Sequence, residues 1–320
     1  MLPDTDSAEI RVLITGGLGF VGGRLSGLLN RRHPDWKLFV PGGPADGAGP
    51  RLDVTDQDGV RAFVAEVRPH IVIHLAAITA IGASNRAPRE AWRVNLDGTL
   101  NIIFALQDFA PAAHLLFISS AEVYGATLSE HYMTDENALL KPLNPYAASK
   151  AAADILVRQV AVSGLSTCVM RPFNHTGPGQ AEAFVAPNFA GQIARIEAGL
   201  QAPVLRVGSL DDERDFLDVD DVTLAYALAL EARDRLPLGE VFNVASGQPV
   251  RIGDLLEILL SEARCRIEVQ VDATRLRHGV IPRVAGDAGR LRRELGWAPS
   301  IPFRTTLTGI LEERRAAVLK

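Results

Sequence analysis

The sequence predicts an α/β chain built on a doubly wound parallel sheet, and three observations carry that expectation. Short apolar runs of strand length recur through the first half, at residues 10–15, 37–40, 71–77 and 115–118, with helix-length segments between them. The first run ends in closely spaced glycines that open directly into a helix. The chain has 320 residues, 47% of them apolar, enough to bury a core as one large domain or two lobes.

In chain order, residues 10–15 read as a buried strand. Gly16, Gly19 and Gly22 follow at three-residue spacing, and a helix over 20–30 begins at Phe20 and Val21. Such glycines permit a tight turn, close approach of backbone to a pyrophosphate, and close helix–strand packing. The helix N-terminus then faces the anion. Strand before and helix after make this a Rossmann dinucleotide-binding signature.

A second strand is expected at 37–40. Dinucleotide folds that prefer NAD place an acid shortly after it to bond the ribose hydroxyls, whereas this chain has Pro41-Gly42-Gly43-Pro44, with Asp46 deeper in the loop. A 2′-phosphate meets no obvious repulsion there, which tilts the expectation toward NADPH with NADH possible. Residues 71–77 form the next strand. They end in Leu75, Ala76 and Ala77, small enough to line a cofactor, and His74 within the run reads as a packed core residue. Residues 88–110 read as one long helix, and 115–118 as a strand leading into Ser119 and Ser120.

Pro145 opens the next helix just inside a capping Asn144, and strong helix formers follow. Tyr146 and Lys150 stand four residues apart on it, so phenol and ammonium share a face. A tyrosine titrating near ~10 is a poor proton donor and acceptor at neutral pH. A neighbouring ammonium is expected to bring it down into the working range.

Beyond a strand at 167–171 the alternation loosens. Helices are expected at 184–200, 222–231 and 251–263, and strands at 204–207, 241–245 and 267–271. An acidic stretch at 211–221 holds Arg214, and 291–295 ends at Gly296.

Composition excludes several classes. A net charge of −5 offers no footprint for nucleic acid. The acidic start lacks the apolar core of a signal peptide, and the longest apolar stretch is too short for a bilayer. Cys168 and Cys265 are too few for a disulfide framework or a cysteine metal site. A soluble, cytoplasmic protein without a metal is expected.

Glycine loop, strand-end serines and a Tyr/Lys helix, in that order, resemble the extended short-chain dehydrogenase/reductase family of nucleotide-sugar modifiers, over essentially the whole chain. The resemblance implies a Rossmann domain (residues 1–172 and about 215–246) and a smaller, C-terminal substrate-binding lobe (about 173–214 and 247–320). It implies a catalytic set of Ser120, Tyr146 and Lys150. It places Asp53 and Val54 at the adenine, Asn95 in the helix behind the nicotinamide, and Arg171 at the cofactor. In this family 4,6-dehydratases usually show Thr-Asp-Glu where this chain has Ser120-Ala121-Glu122. Ala121 donates no proton, so half of the elimination apparatus is missing; Glu122 is a candidate substrate contact.

The run Arg171-Pro-Phe-Asn-His-Thr-Gly-Pro-Gly-Gln180, with Phe184-Val185 and Arg214-Asp-Phe, resembles the GDP-4-keto-6-deoxy-D-mannose reductases, which make GDP-D-rhamnose. By that resemblance Asn174 and Val185 touch the nucleotide sugar, and Arg214 and Arg277 hold its diphosphate. Planar guanidinium forks suit that group. The resemblance also implies a homodimer through a four-helix bundle of the 88–110 and 145–162 helices. The same Ser/Tyr/Lys set serves nucleotide-sugar epimerases that keep NAD tightly bound, and a non-catalytic binding protein is the alternative from another class.

Overall fold

β1 (Arg11–Thr15) is the first strand of a six-stranded sheet in the computed structural model, which describes residues 9–44, 50–275 and 281–319. α1 (Phe20–Arg32), β2 (Lys37–Phe39), α2 (Gln57–Val67) and β3 (Ile71–His74) follow, then the short α3 (Ile81–Arg86) and α4 (Pro88–Trp92). α5 (Gly98–Phe109), β4 (His114–Ile118), α6 (Pro145–Val162) and β5 (Ser166–Pro172) continue the alternation. The remaining elements are β6 (Asn174–Thr176), α7 (Val185–Glu197), β7 (Val204–Val207), β8 (Glu213–Asp218), α8 (Val219–Glu231), β9 (Glu240–Val244), β10 (Pro249–Arg251), α9 (Ile252–Ser261), β11 (Glu268–Val271), β12 (Arg283–Val284), α10 (Gly289–Leu295) and α11 (Phe303–Val318).

The large sheet runs β2-β1-β3-β4-β5-β9, with parallel pairing of β1 to β2 and β3, β3 to β4, and β4 to β5. Moving outward in both directions from β1 and β3 is the doubly wound order, which puts a ligand crevice at the carboxyl ends of the strands where the direction reverses. β3 and β4 are buried along their whole length, as strands covered on both faces must be. Leu13, Val72, Leu115, Phe117 and Val169 pack with Val60, Val64, Ile102, Leu106 and Val157 into one core.

The chain divides into two units. The first takes in the chain to Val123, Pro142–Arg171 and Tyr226–Phe242; the second takes in Tyr124–Lys141, Pro172–Ala225 and Asn243–Lys320. The second unit has its own core, in which α7, α9 and α11 enclose Phe189, Ile193, Leu255, Leu259, Leu307 and Ile310. Its strands form two small sheets, β10-β8-β12 with β6 also on β8, and the parallel pair β11-β7.

Several elements differ from expectation. The single helix expected at 88–110 is interrupted at Arg93–Asp97 by a π turn between α4 and α5. The acidic stretch at 211–221 is mostly strand β8 and the start of α8, because its carboxylates are used internally. Asp215 accepts hydrogen bonds from the backbone N–H groups of Ser246, Gly247 and Gly286 and from the Ser246 hydroxyl. Asp221 accepts from the N–H groups of Ser300 and Ile301. The C-terminal helix α11 was not anticipated.

Candidate active site

The glycine loop is shaped as its sequence requires. Gly16 has φ +68°, a conformation side chains rarely adopt, and a Cβ there would lie 2.7 Å from the Ala76 amide nitrogen. A Cβ on Gly22 would lie 2.5 Å from the Gly16 carbonyl oxygen, so α1 sits closer to its own loop than any side chain allows. Gly19 is the N-cap of α1, whose first turn holds no acid and no capping side chain. Its N–H groups and positive dipole end are therefore open to a phosphate. Phe20 and Val21 begin the helix and are half-buried. These features fit a dinucleotide, with its pyrophosphate at Gly16, Gly19 and Gly22.

The turn after β3 is wired to this loop. His74 is buried, with Nδ1 2.7 Å from the Thr15 hydroxyl and Nε2 3.2 Å from that of Thr99. The Thr99 hydroxyl donates to the Asn95 carbonyl at 2.7 Å, so it accepts from His74, whose proton is on Nε2. Burial pushes the imidazole down to about 3, with Lys150 adding repulsion. The expectation of a core histidine holds, and its bonds link β1, β3 and α5. Leu75, Ala76 and Ala77 follow, half-buried.

Asn95 lies in the π turn, buried. Its Oδ1 accepts from the Ile78 N–H at 2.8 Å, and its Nδ2 donates to the Ser149 hydroxyl at 2.9 Å. Its side chain thus ties the turn after β3 to α6. Asp53 accepts from the Thr55 N–H and hydroxyl, and the Val54 carbonyl accepts from Asn101 Nδ2 at 2.9 Å. Arg171 departs from expectation. Its guanidinium is buried and doubly bonded to Asp154 at 2.8 and 2.9 Å, so its side chain is committed to an internal ion pair rather than to a cofactor. Asp46 lies outside the described residues.

β4 delivers Ser119 and Ser120 at its carboxyl end, and Asn144 caps α6 by accepting from the Ala147 N–H at 2.8 Å, which places Tyr146 and Lys150 in its first turns. Ser120, Tyr146 and Lys150 are all buried. The Ser120 hydroxyl lies beside the Tyr146 phenol and favours its ionised form. It also accepts from the Glu122 N–H at 3.1 Å. Glu122 itself accepts from Asn144 Nδ2 at 3.4 Å, beside the helix cap.

The electrostatics reverse one expectation. Burial pushes Tyr146 up to about 12, only partly offset by the Ser120 hydroxyl and reinforced by Glu122. Burial pulls Lys150 down to about 7, against the attraction of Asp154. The ammonium does not lower the phenol here. Lys150 donates to the Ile118 carbonyl and lies 4.3 Å over the Phe117 ring. Desolvation therefore outweighs the charge effect that four-residue spacing suggested.

In the second unit Asn174 is exposed in β6 and Val185 begins α7; both line a cavity of about 50 Å³. Arg214 Nη1 donates to the Glu213 carbonyl at 2.7 Å and reaches the Pro282 carbonyl at 3.4 Å. Arg277 lies outside the described residues. Sequence reasoning missed a second, polar cavity of about 410 Å³, walled by α7, β7, β11 and Arg275. Among the described residues no group of histidine, cysteine and acidic side chains could hold a metal ion, and no helix is long and apolar enough to cross a membrane.

A phosphate-ready glycine loop, with serine at the end of a parallel strand and tyrosine and lysine on α6, defines a dinucleotide-dependent enzyme. The chain belongs to the NAD dependent epimerase/dehydratase family, whose pattern matches residues 12–245. It is 39% identical over 310 residues to GDP-6-deoxy-D-mannose reductase of Pseudomonas aeruginosa, spanning 96% of this chain and 98% of that relative. It is 28% identical to GDP-6-deoxy-D-talose 4-dehydrogenase of Aggregatibacter actinomycetemcomitans, over 95% of this chain and 96% of that one. Its fold matches the structure of RMD from Pseudomonas aeruginosa complexed with NADPH, at a TM-score of 0.85 and 37% identity over 96% of this chain and 99% of that one.

Proposed function

We propose that this chain reduces the C4 keto group of GDP-4-keto-6-deoxy-D-mannose with NADPH, giving GDP-D-rhamnose. The observation that carries the reading is a buried phenol that keeps its proton, beside a strand-end serine, in a chain similar along its length to a GDP-6-deoxy-D-mannose reductase. Reduction of a ketone creates an alkoxide that needs a proton, and a protonated tyrosine is the form that can supply it.

A bound nicotinamide would supply the hydride. Ser120 orients the carbonyl oxygen by hydrogen bonding, and Tyr146 gives its proton to that oxygen as charge develops. Lys150, already held by the Ile118 carbonyl, would bond the cofactor ribose. Gly16, Gly19 and Gly22 admit the pyrophosphate, and the turn at Leu75–Ala77 lines the cofactor. The open chain after β2 carries no acid at Pro41–Pro44 to repel a 2′-phosphate, which supports NADPH. Arg214 and Arg277 hold the substrate diphosphate, with Asn174, Val185 and Glu122 at the sugar. Ala121 leaves no acid for elimination of water, so GDP-mannose itself is not a substrate.

The test is spectrophotometric. Incubated with GDP-4-keto-6-deoxy-D-mannose, the protein should oxidise NADPH one-for-one with substrate, and GDP-mannose alone should not react. Isomerisation of a nucleotide sugar without net cofactor consumption would instead make it an epimerase. The protein also pairs as an isologous homodimer through a four-helix bundle of the 88–110 segment (α4, the π turn and α5) and α6.

A further inference from the structure

The polar cavity of the second unit is built to present two unused side chains. β7 and β11 are parallel and in register, with Arg206 directly opposite Gln270. Direct partners on neighbouring strands point to the same face. Here both side chains line the cavity of about 410 Å³.

The backbone behind them is fixed. Gln192 of α7 is buried and grips the Arg206 peptide at both ends, accepting from its N–H at 2.9 Å and donating to its carbonyl at 3.0 Å. Gln192 Nε2 also donates to Asn188 Oδ1 at 2.8 Å.

The other polar groups of the lining are already occupied. Arg195 is held by both oxygens of Glu182, and Arg275 donates to Asn188 Oδ1 at 3.1 Å. Among the described residues the Arg206 guanidinium has no hydrogen-bond or ion-pair partner, only a weaker attraction to Asp272. That carboxylate is itself held by the Thr274 N–H and hydroxyl. The residues that line the cavity include three arginines and no carboxylate.

We infer that Arg206, with Gln270 beside it, selects the nucleobase of the substrate, reading a guanine through O6 and N7. This rests on the proposed GDP-sugar reading and adds which edge of the base is read. A guanidinium fork matches the two acceptors O6 and N7 of guanine, whereas adenine offers a donor at position 6. Recognition of the opposite edge, N1–H and the 2-amino group, requires an acceptor, and a carboxylate is the strong one. With none in the lining, the 2-amino group should matter little. Inosine, which keeps O6 and N7 and lacks that amino group, should be accepted in place of guanosine.

Calorimetric titration of the NADPH-loaded protein with GDP, IDP, ADP and UDP tests this. The wild type should bind GDP and IDP within about threefold of each other, and ADP roughly tenfold or more weakly, the value of one bidentate base contact. Arg206→Ala should erase most of the GDP-over-ADP preference. Arg206→Lys should erase it too, because an ammonium keeps the charge but not the fork. Arg206 is exposed, so both variants should fold. GDP binding far more tightly than IDP would overturn the inference, as would an undiminished preference for GDP over ADP in Arg206→Ala; the proposed activity would then still stand. A wild type that shows no preference for GDP over UDP or ADP would remove the GDP-sugar reading and this inference together.

Discussion

Tyr146 shows what residue spacing reveals and what it hides. Its place four residues before Lys150, after a strand ending in Ser120, was legible because all three positions belong to local patterns. The direction of its pKa was not, because burial depends on which side chains close over the phenol, and those come from distant segments. With the phenol pushed up to about 12, its proton is retained throughout the neutral range, and the group is an acid before it is a base. Tyr146→Phe removes that proton and little volume. It should lower turnover by roughly two orders of magnitude or more, the usual contribution of general acid catalysis, while NADPH affinity measured by fluorescence titration stays near wild type. Arg206 and Gln270 escaped a linear reading for a related reason: 64 positions separate them, and only the register of β7 on β11 makes them neighbours. Asp215 and Asp221 read as an acidic run, yet their partners lie 31 to 80 residues away.

At the scale of elements, the β1–loop–α1 unit was fully legible, since glycines of a phosphate loop are constrained by their immediate neighbours. Gly22→Ala would place a methyl 2.5 Å from the Gly16 carbonyl oxygen, and backbone cannot swing aside as a side chain can. Overpacking of this kind costs about 1–3 kcal/mol, so the affinity for NADPH should fall roughly 5- to 150-fold if that strain is taken from the binding loop. An unchanged dissociation constant would show that the loop does not seat the pyrophosphate. The π turn at Arg93–Asp97 was invisible in sequence, because residues 88–110 have ordinary helical periodicity. What it achieves is visible only in three dimensions: Asn95 bonds both Ile78 and Ser149. β3 brings a pH dependence of its own. His74 is neutral when folded and titrates at about 3, against about 6.5 when unfolded. The unfolded chain therefore binds the extra proton first, and the stability from neutral His74 is complete above pH 6.5 and lost as pH falls from 6.5 toward 3. Between pH 7 and pH 5 this amounts to about 2 kcal/mol. Urea unfolding should show it, and His74→Asn should flatten the profile by about that amount.

For the whole molecule, the doubly wound sheet was legible because every strand of its first half carries its own apolar signal, and the order of parallel strands follows from general topology. The second unit was less so. β6, β10 and β12 are two or three residues long, too short for periodicity, and α11 alternates polar and apolar residues without a sharp N-terminal cap. Self-association tests the remaining expectation. On α6, Ala147, Ala151, Ala153 and Val160 are buried and are not available for pairing. The outward stripe is Ala148, Ala152, Ile155 and Val162, at helical spacing of four, three and seven residues. Ile155 is 53% exposed, Val162 90%, and Phe104 on α5 48%. Alanines there would let a second helix approach closely, and the three large side chains would then be covered. A surface that meets its own copy must be self-complementary, as an uncharged apolar stripe is and a stripe of one charge is not. Light scattering at micromolar concentration should therefore give the mass of a dimer. Ile155→Glu, which brings two like charges together across the twofold axis, should give a monomer of unchanged circular dichroism, and a wild type that is already monomeric would rule the pairing out.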